Sequence, residues 1–545
     1  MSAVESAQDD VPPKWTADRK TLMSLSFLGL LCVMVAIDAT ILVPALPSIA
    51  DALHGTASET FWTGSSYLLS NATFQPLIAT LSGTFGRRGM LFFSVVMFTI
   101  GSLISCLAQD FATLLAGRTV KGIGGGGIMA LNLVIITDIV PLRQRPKYYA
   151  FTQISWGLGT VAGPLIGGAI AEYSNWRVLF YINFPFCAIG LATSPFVKEV
   201  GGRREQTINS MLMRVDWTGN LLFMAGTTSF LIGITWAGQQ YDWNSYQVLV
   251  PLCIGVVVLC SSILWEMFAA SAPFIRRTML RSRPLMTTYV CTLIAGFLLY
   301  AHLYYVALFM MSVQSRTALM TGVSLLPIFI GFMPSSGLIG AAISRWGRWK
   351  WSLWLGWAIN TLGAGLFILL DEGTAVVAWI FIFFSYGLGQ GSLISAHNLA
   401  VQAIADVPDV AWASALFTFM RSVGLCLGVA LGGTVLQSQL RVSLSDRGLP
   451  VGISNQFESF IFELVDMPSD DPTRIAIADA YAEAFTFLFQ VLTGISAAAL
   501  LLCFTITGED TLNKGVIPTR ILSGDSPSSN DMDAPQDLEG RGKEN

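Results

Sequence analysis

Apolar runs of about 20 residues recur along nearly the whole chain, separated by short polar stretches. A run of that length crosses the hydrocarbon core of a bilayer as a helix. The pattern predicts fourteen such helices. Six cover residues 22–46, 61–82, 90–107, 113–139, 149–170 and 176–194. Two more, 217–236 and 247–268, follow a polar linker over 203–216. The last six cover 285–310, 320–341, 351–370, 375–402, 411–437 and 481–507. The expected division is a tail (1–21), a six-helix bundle (22–196), a linker with two inserted spans (197–284), a second six-helix bundle (285–508) and a polar, disordered tail (509–545). The second bundle carries a long acidic loop over 438–480, placed outside the cell.

The glycines repeat. Gly122, Gly124 and Gly126 recur as Gly387, Gly389 and Gly391, and Gly159, Gly163, Gly167 and Gly168 recur as Gly424, Gly428, Gly432 and Gly433. Both sets carry the same shift, about 265 residues, and fall in the fourth and fifth helices of each half. Paired repeats in a membrane chain mark many secondary transporters, whose substrate path lies between the repeats. The stripes Gly159–Gly163–Gly167 and Gly424–Gly428–Gly432 let helix backbones approach closely in lipid. They read either as static packing or as a rocking seam between the halves.

Orientation follows from basic residues. The loops placed inside hold Arg87, Arg88, Arg143, Arg145, Lys147, Lys198, Arg203, Arg204, Arg214, Arg276, Arg277, Arg281, Arg283, Arg345, Arg348 and Lys350, whereas the short loops placed outside hold only Arg316. That bias puts both termini in the cytoplasm. The loop with Asp406 and Asp409 should be inside yet has no basic residue of its own.

At 53% hydrophobic and 12% charged residues, the 545-residue chain is far from a soluble protein's balance. A formal net charge of −4 argues against a nucleic-acid partner. The polar first 21 residues do not resemble a secretory signal. All eight cysteines lie in apolar runs with no disulfide or zinc spacing, so no metal or other cofactor is expected. Gly122 to Gly127 fit a dinucleotide fingerprint, but lie inside an apolar span where that motif's strand is missing. Asn71-Ala-Thr73 matches a glycosylation acceptor inside a span, out of reach of modification.

Asp38, Arg118, Lys121 and Arg421 are charges that fall inside predicted spans. Each costs about 2.5–3.5 kcal/mol near the bilayer centre, so such groups pair or line a wet cavity. Asp38 is a candidate proton carrier and Arg118 its partner, with a static ion pair as the plainer reading. Lys121, nearer a span end, is expected to snorkel. Gln153 and Trp156, on one face of span 5 with Thr160, are candidate cavity residues, as are His302, His397 and Arg421.

Several segments together resemble the major facilitator superfamily, in particular its fourteen-span drug:proton antiporter branch. They are residues 38–47, Trp62 with 67–69, 81–88, 118–124, 157–168 and 175–185. The resemblance covers roughly residues 20–510. It implies an all-helical major facilitator fold of two six-helix bundles plus two inserted helices. It also implies a gating loop at Gly86, Arg87 and Arg88, and an antiporter motif at Gly157, Gly163, Pro164, Gly167 and Gly168. Two departures stand out. Gly83 replaces the acid of the gating loop, which puts its latch in doubt, and Lys121 replaces a glutamine. The implied function is proton-coupled export of a small amphiphilic molecule (a toxin, secondary metabolite or drug) by a monomer in the plasma membrane. Related chains take up siderophores or load vacuoles with amino acids. A transporter-like sensor is disfavoured by the short tail, and an enzyme by the lack of a clustered catalytic set.

Overall fold

A computed structural model describes residues 17–55, 57–141, 144–197, 213, 215–238, 240–270, 273–468 and 471–506. The N-terminal tail to residue 16, the basic residues Arg143, Lys198, Arg203, Arg204 and Arg214, and the tail from 507 lie outside them. Among the described residues the regular elements are helices, with one isolated bridge between Ala237 and Tyr241.

The first half comprises α1 (Arg19–Thr40), α2 (Leu46–Leu53), α3 (Ala57–Phe85), α4 (Arg87–Cys106), α5 (Phe111–Ile139), α6 (Arg145–Tyr173), α7 (Val178–Tyr181) and α8 (Asn183–Thr193). Next come α9 (Trp217–Trp236), α10 (Tyr246–Phe268) and α11 (Arg277–Arg281). The second half comprises α12 (Arg283–Ser312), α13 (Ala318–Ser324), α14 (Leu326–Trp346), α15 (Lys350–Leu366), α16 (Val376–Ile404), α17 (Val410–Asp446), α18 (Phe457–Asp466) and α19 (Pro472–Cys503). Polar caps fix the helix starts. Asp18 accepts from the Thr21 amide at 2.7 Å, Asp110 from Thr113 at 2.7 Å and Asp216 from Gly219 at 2.9 Å.

Among the described residues, twelve helices are long and apolar enough to cross a membrane. α3 and α9 fall outside that set, although both are long and packed into the bundle. In α3 the cause is its Ser, Thr, Asn and Gln content. Three expectations change. The 438–480 segment is not a plain loop: α17 runs on to Asp446, α18 follows, and α19 begins at Pro472. Span 6 breaks into α7 and α8 at Ile182, because Pro185 has no N–H for the Tyr181 carbonyl. Span 10 likewise breaks at Leu325, just before Pro327.

The repeat in sequence is a repeat in packing. α1 pairs with α6 as α12 does with α17, and α3 and α4 flank α5 as α14 and α15 flank α16. The glycine stripes lie inside these pairs. A Cβ on Gly159, Gly163 or Gly167 would collide with Val33 or Thr40 of α1, or with Ile41 just past its end. One on Gly424 or Gly428 would strike the Leu293 or Phe297 carbonyl of α12. The stripes therefore bind each half together, and the seam between halves runs elsewhere. It is formed by α6 against α13 and α14, and by α3 and α5 against α17.

Replacing Gly163 with Leu should force α1 and α6 apart, at a cost of about 1–3 kcal/mol or more. A lower thermal midpoint and reduced monodisperse yield are expected, to be compared with an exposed control, Leu158→Ala.

Candidate functional site

The charged cluster forms where α1 and α5 cross. Arg118 Nη1 donates to Asp38 Oδ2 at 2.8 Å, and Lys121 Nζ donates to Oδ1 of the same carboxylate. Asn183 Nδ2 of α8 reaches Oδ1 at 3.4 Å. Arg118 is held further by Nε to the Thr63 carbonyl at 3.0 Å and lies 4.5 Å above the Tyr67 ring. The Lys121 ammonium sits 5.0 Å from the centres of both Phe98 and Phe180. All three charged side chains are fully buried. Lys121 therefore does not snorkel: one turn beyond Arg118, it is aimed at Asp38 and walled by rings. The cluster holds two cations and one anion, so Asp38 is the sole counter-charge for both among the described residues. Breaking such a pair by removing one partner typically costs about 3–5 kcal/mol.

Two cavities lie in sequence along α12. The basic loops carrying Arg87, Arg145, Arg276 and Arg345 share one end of the bundle, where α12 begins. Toward the opposite, distal end, a cavity enclosing about 630 Å³ (open solvent at its mouth included) lies between α1, α6, α12, α13 and α14. It is lined by Thr40, Thr160, Pro164, Tyr300, Tyr304 and Phe329 among others, with no charged side chain. A second, deeper and tighter cavity, about 280 Å³ with open solvent included, lies between α12, α14, α16 and α17, lined among others by Thr292, Phe332, Gln390, His397 and Arg421. At 1.5 Å per residue along α12, the two centres are roughly 10–15 Å apart.

The sequence candidates divide accordingly. Arg421 and His397 line the deep cavity. Trp156 reaches it from the other half, its ring 4.8 Å from the Arg421 guanidinium. Gln153 is buried one turn earlier on α6. Pro164 lines the distal cavity opposite Gly322 of α13, while Gly157 faces Met333 of α14. Gly168 is buried within α6. His302 lines neither cavity. It is enclosed by Phe367, Tyr386 and Phe489 inside the second half, its Nδ1 2.8 Å from the Leu298 carbonyl.

The basic end is closed. Gly86, at φ 90°, makes the turn that aims Arg87 at Asp138, 3.0 Å away, and at Ser82, 2.6 Å away; Arg88 is exposed. At Gly83, where an acid was expected, the nearest group is the Trp412 indole, 3.7 Å from where a Cβ would stand. Arg145 Nη1 bonds Gln402 across the halves at 3.0 Å, and Gln75 Nε2 bonds Ser422 at 2.8 Å. Asp409 is ion-paired with Arg276 and accepts from Thr278 at 2.7 Å. The loop without a basic residue thus borrows one from the inserted segment.

These features can be set beside known proteins. The family model described as Major Facilitator Superfamily matches residues 28–429. The chain belongs to the Major Facilitator Superfamily. MFS transporter L2 of a Phoma species is 39% identical over 480 residues, covering 87% of this chain and 80% of the relative. The MFS efflux transporter aclA of Aspergillus oryzae is 34% identical over 443 residues, covering 80% of each chain. The crystal structure of the human organic anion transporter MFSD10 aligns with TM-score 0.57 over 89% of this chain and all of that one; at 13% identity this likeness shows the fold alone. The chain is a multi-pass membrane transporter.

Sequence reading missed two parts of this facilitator's site. The hydroxyls of Thr40, Tyr300 and Tyr304 carry no positional signal until α1 and α12 are packed together. The cap α18 was hidden in an apparent loop. Glu458 of α18 turns its carboxyl against Tyr304, near Tyr305 of α12 and Tyr481 of α19. Burial pushes that carboxyl up to about 7, with the Tyr304 hydroxyl opposing the rise. The folded cap therefore prefers the protonated acid. Its contribution to seating is fully present below the ordinary value of 4.5 and is lost as pH rises through about 7. Hydrogen exchange over 457–466, corrected for intrinsic rates, should show stronger protection at pH 5 than at pH 8. Glu458→Gln should remove the difference.

Proposed function

We propose that this chain is a proton-driven antiporter that exports a small amphiphilic organic molecule. The supporting observation is the buried carboxylate of Asp38, held by Arg118 and Lys121 two residues before Thr40, a lining residue of the distal cavity. Protonating Asp38 cancels the only anion among the described residues that faces the two buried cations, and that arrangement is unfavourable in a low-dielectric site. The relief is movement of α1 against α5, and α1 carries one wall of the cavity. A proton crossing 100 mV supplies about 2.3 kcal/mol, roughly a fortyfold concentration ratio. Arg118 with Asp38 is the coupling pair. Arg87, Gly86 and Arg88 form the gate at the basic end. Gln153, Trp156, His397 and Arg421 face the cargo path.

The basic-loop bias supports a cytoplasmic basic end, so the distal cavity faces outward. In this reading both termini are cytoplasmic, the spans number fourteen with α3 and α9 included, and the protein works as a monomer in the plasma membrane. The relative named an efflux transporter supports export over siderophore uptake or vacuolar loading.

Asp38→Asn is the direct test. In inside-out vesicles with an imposed pH gradient, a panel of radiolabelled naphthalene amphiphiles of each charge is offered. The wild type should accumulate at least one member, and the variant should lose uphill accumulation by about tenfold or more while keeping downhill exchange. Lys121→Gln in the same background restores the net charge and guards against a folding defect. Accumulation that survives D38N, or that survives an uncoupler in the wild type, overturns the proposal.

A further inference from the structure

The two buried arginines of this transporter are treated differently. Arg118 has Asp38. Arg421, 8% exposed, makes no ion pair with any described carboxylate, and its Nη2 has no hydrogen-bond partner. Among the described residues, the ionisable groups that face it are Tyr300, Tyr149 and Cys32. Yet it lines a cavity of about 280 Å³.

The other polar groups on that cavity are already committed. Thr292 donates to the Thr288 carbonyl at 2.8 Å, and Gln390 Nε2 donates to the Tyr386 hydroxyl at 3.0 Å. His397 Nε2 accepts from the Trp357 indole at 3.3 Å. Arg421 is the uncommitted donor there. The Arg421 guanidinium lies over the Trp156 ring, 4.8 Å from its centre, and Nη2 is left without a partner. A planar fork of that kind matches a carboxylate or sulfonate.

We propose that Arg421 docks an anionic group of the cargo, a carboxylate, sulfonate or acidic enolate, while the cargo's apolar body extends along α12 into the distal cavity. This deepens the export reading and rests on it. The dimensions fit an amphiphile: the charge-free distal cavity, with Tyr300 and Phe329 in its wall, begins one residue beyond Leu299 of the deep one. Because Trp156 belongs to the first half and Arg421 to the second, a ligand anion here bears on both halves at once.

The test needs no gradient, so loss of proton coupling would leave its result intact. The full chain in nanodiscs is titrated calorimetrically, against empty nanodiscs, with 1-naphthalenesulfonate, the neutral 1-naphthalenesulfonamide and the cationic 1-naphthylmethylammonium. The wild type should bind the sulfonate about tenfold or more tighter than the sulfonamide, with the ammonium weakest. Arg421→Gln should bring sulfonate and sulfonamide within about twofold by weakening the sulfonate alone, and Arg421→Lys should keep a reduced preference. Equal affinities in the wild type, or a preference unchanged in R421Q, overturn the proposal. Chloride or inorganic phosphate binding at Arg421 as tightly as the sulfonate overturns the assignment to cargo and leaves an inorganic anion site. If R421Q fails to fold, the charge series on the wild type decides.

Discussion

One carboxylate facing two cations inside a low-dielectric bundle is the constraint on which the first half depends. Asp38 joins α1 to α5, and Asn183 brings α8 to the same oxygen. Such a cluster is costly to assemble and more costly to leave half-made. Its members therefore tie three spans together in one register, beside the apolar contacts those spans also make. With two cations on one carboxylate, losing Asp38 would leave both without a counter-charge among the described residues.

Around that cluster the fold separates rigid from movable contacts. Within each half, α1–α6 and α12–α17 approach so closely that glycine is the only residue that fits at several crossings. Between halves the contacts are side-chain bonds such as Gln75 to Ser422 and Arg145 to Gln402, and side-chain packing such as Trp156 on Phe332 and Ala79 and Val134 with Ala415. Bonds of that sort can be exchanged for water or for one another at little net cost. Two stiff bodies joined by replaceable contacts are what alternating access requires.

Much of this was legible in the chain. The length of the apolar runs, the 265-residue glycine shift and the Asp38–Arg118 pair all follow from rules that act locally or on composition. What was not legible depends on three-dimensional neighbours. Lys121 looked like a snorkelling residue because distance from a span end is readable, whereas the presence of Phe98, Phe180 and Asp38 around it is not. The glycine stripes announced close packing but not their partner, and only the packed structure decides for static contacts inside each half. His302 and His397 read alike in sequence, and only packing puts one among aromatic rings and the other on a cavity. Residues 438–480 looked like a loop because their apolar positions are interleaved with acids, and α18 keeps its shape by resting on α12.

The inserted pair has an asymmetric placement. α9 lies against α3 and α17, and α10 packs on α9 with Leu249, Val257 and Leu264 turned outward. Only one of the two seams between the halves is therefore double-walled. The other, where α6 meets α13 and α14, presents Phe151, Leu158, Val323 and Ile330 to the surroundings and has the distal cavity directly behind it. On that flank a single layer of helices stands between the surroundings and the cavity, so parting α6 from α13 would open it sideways.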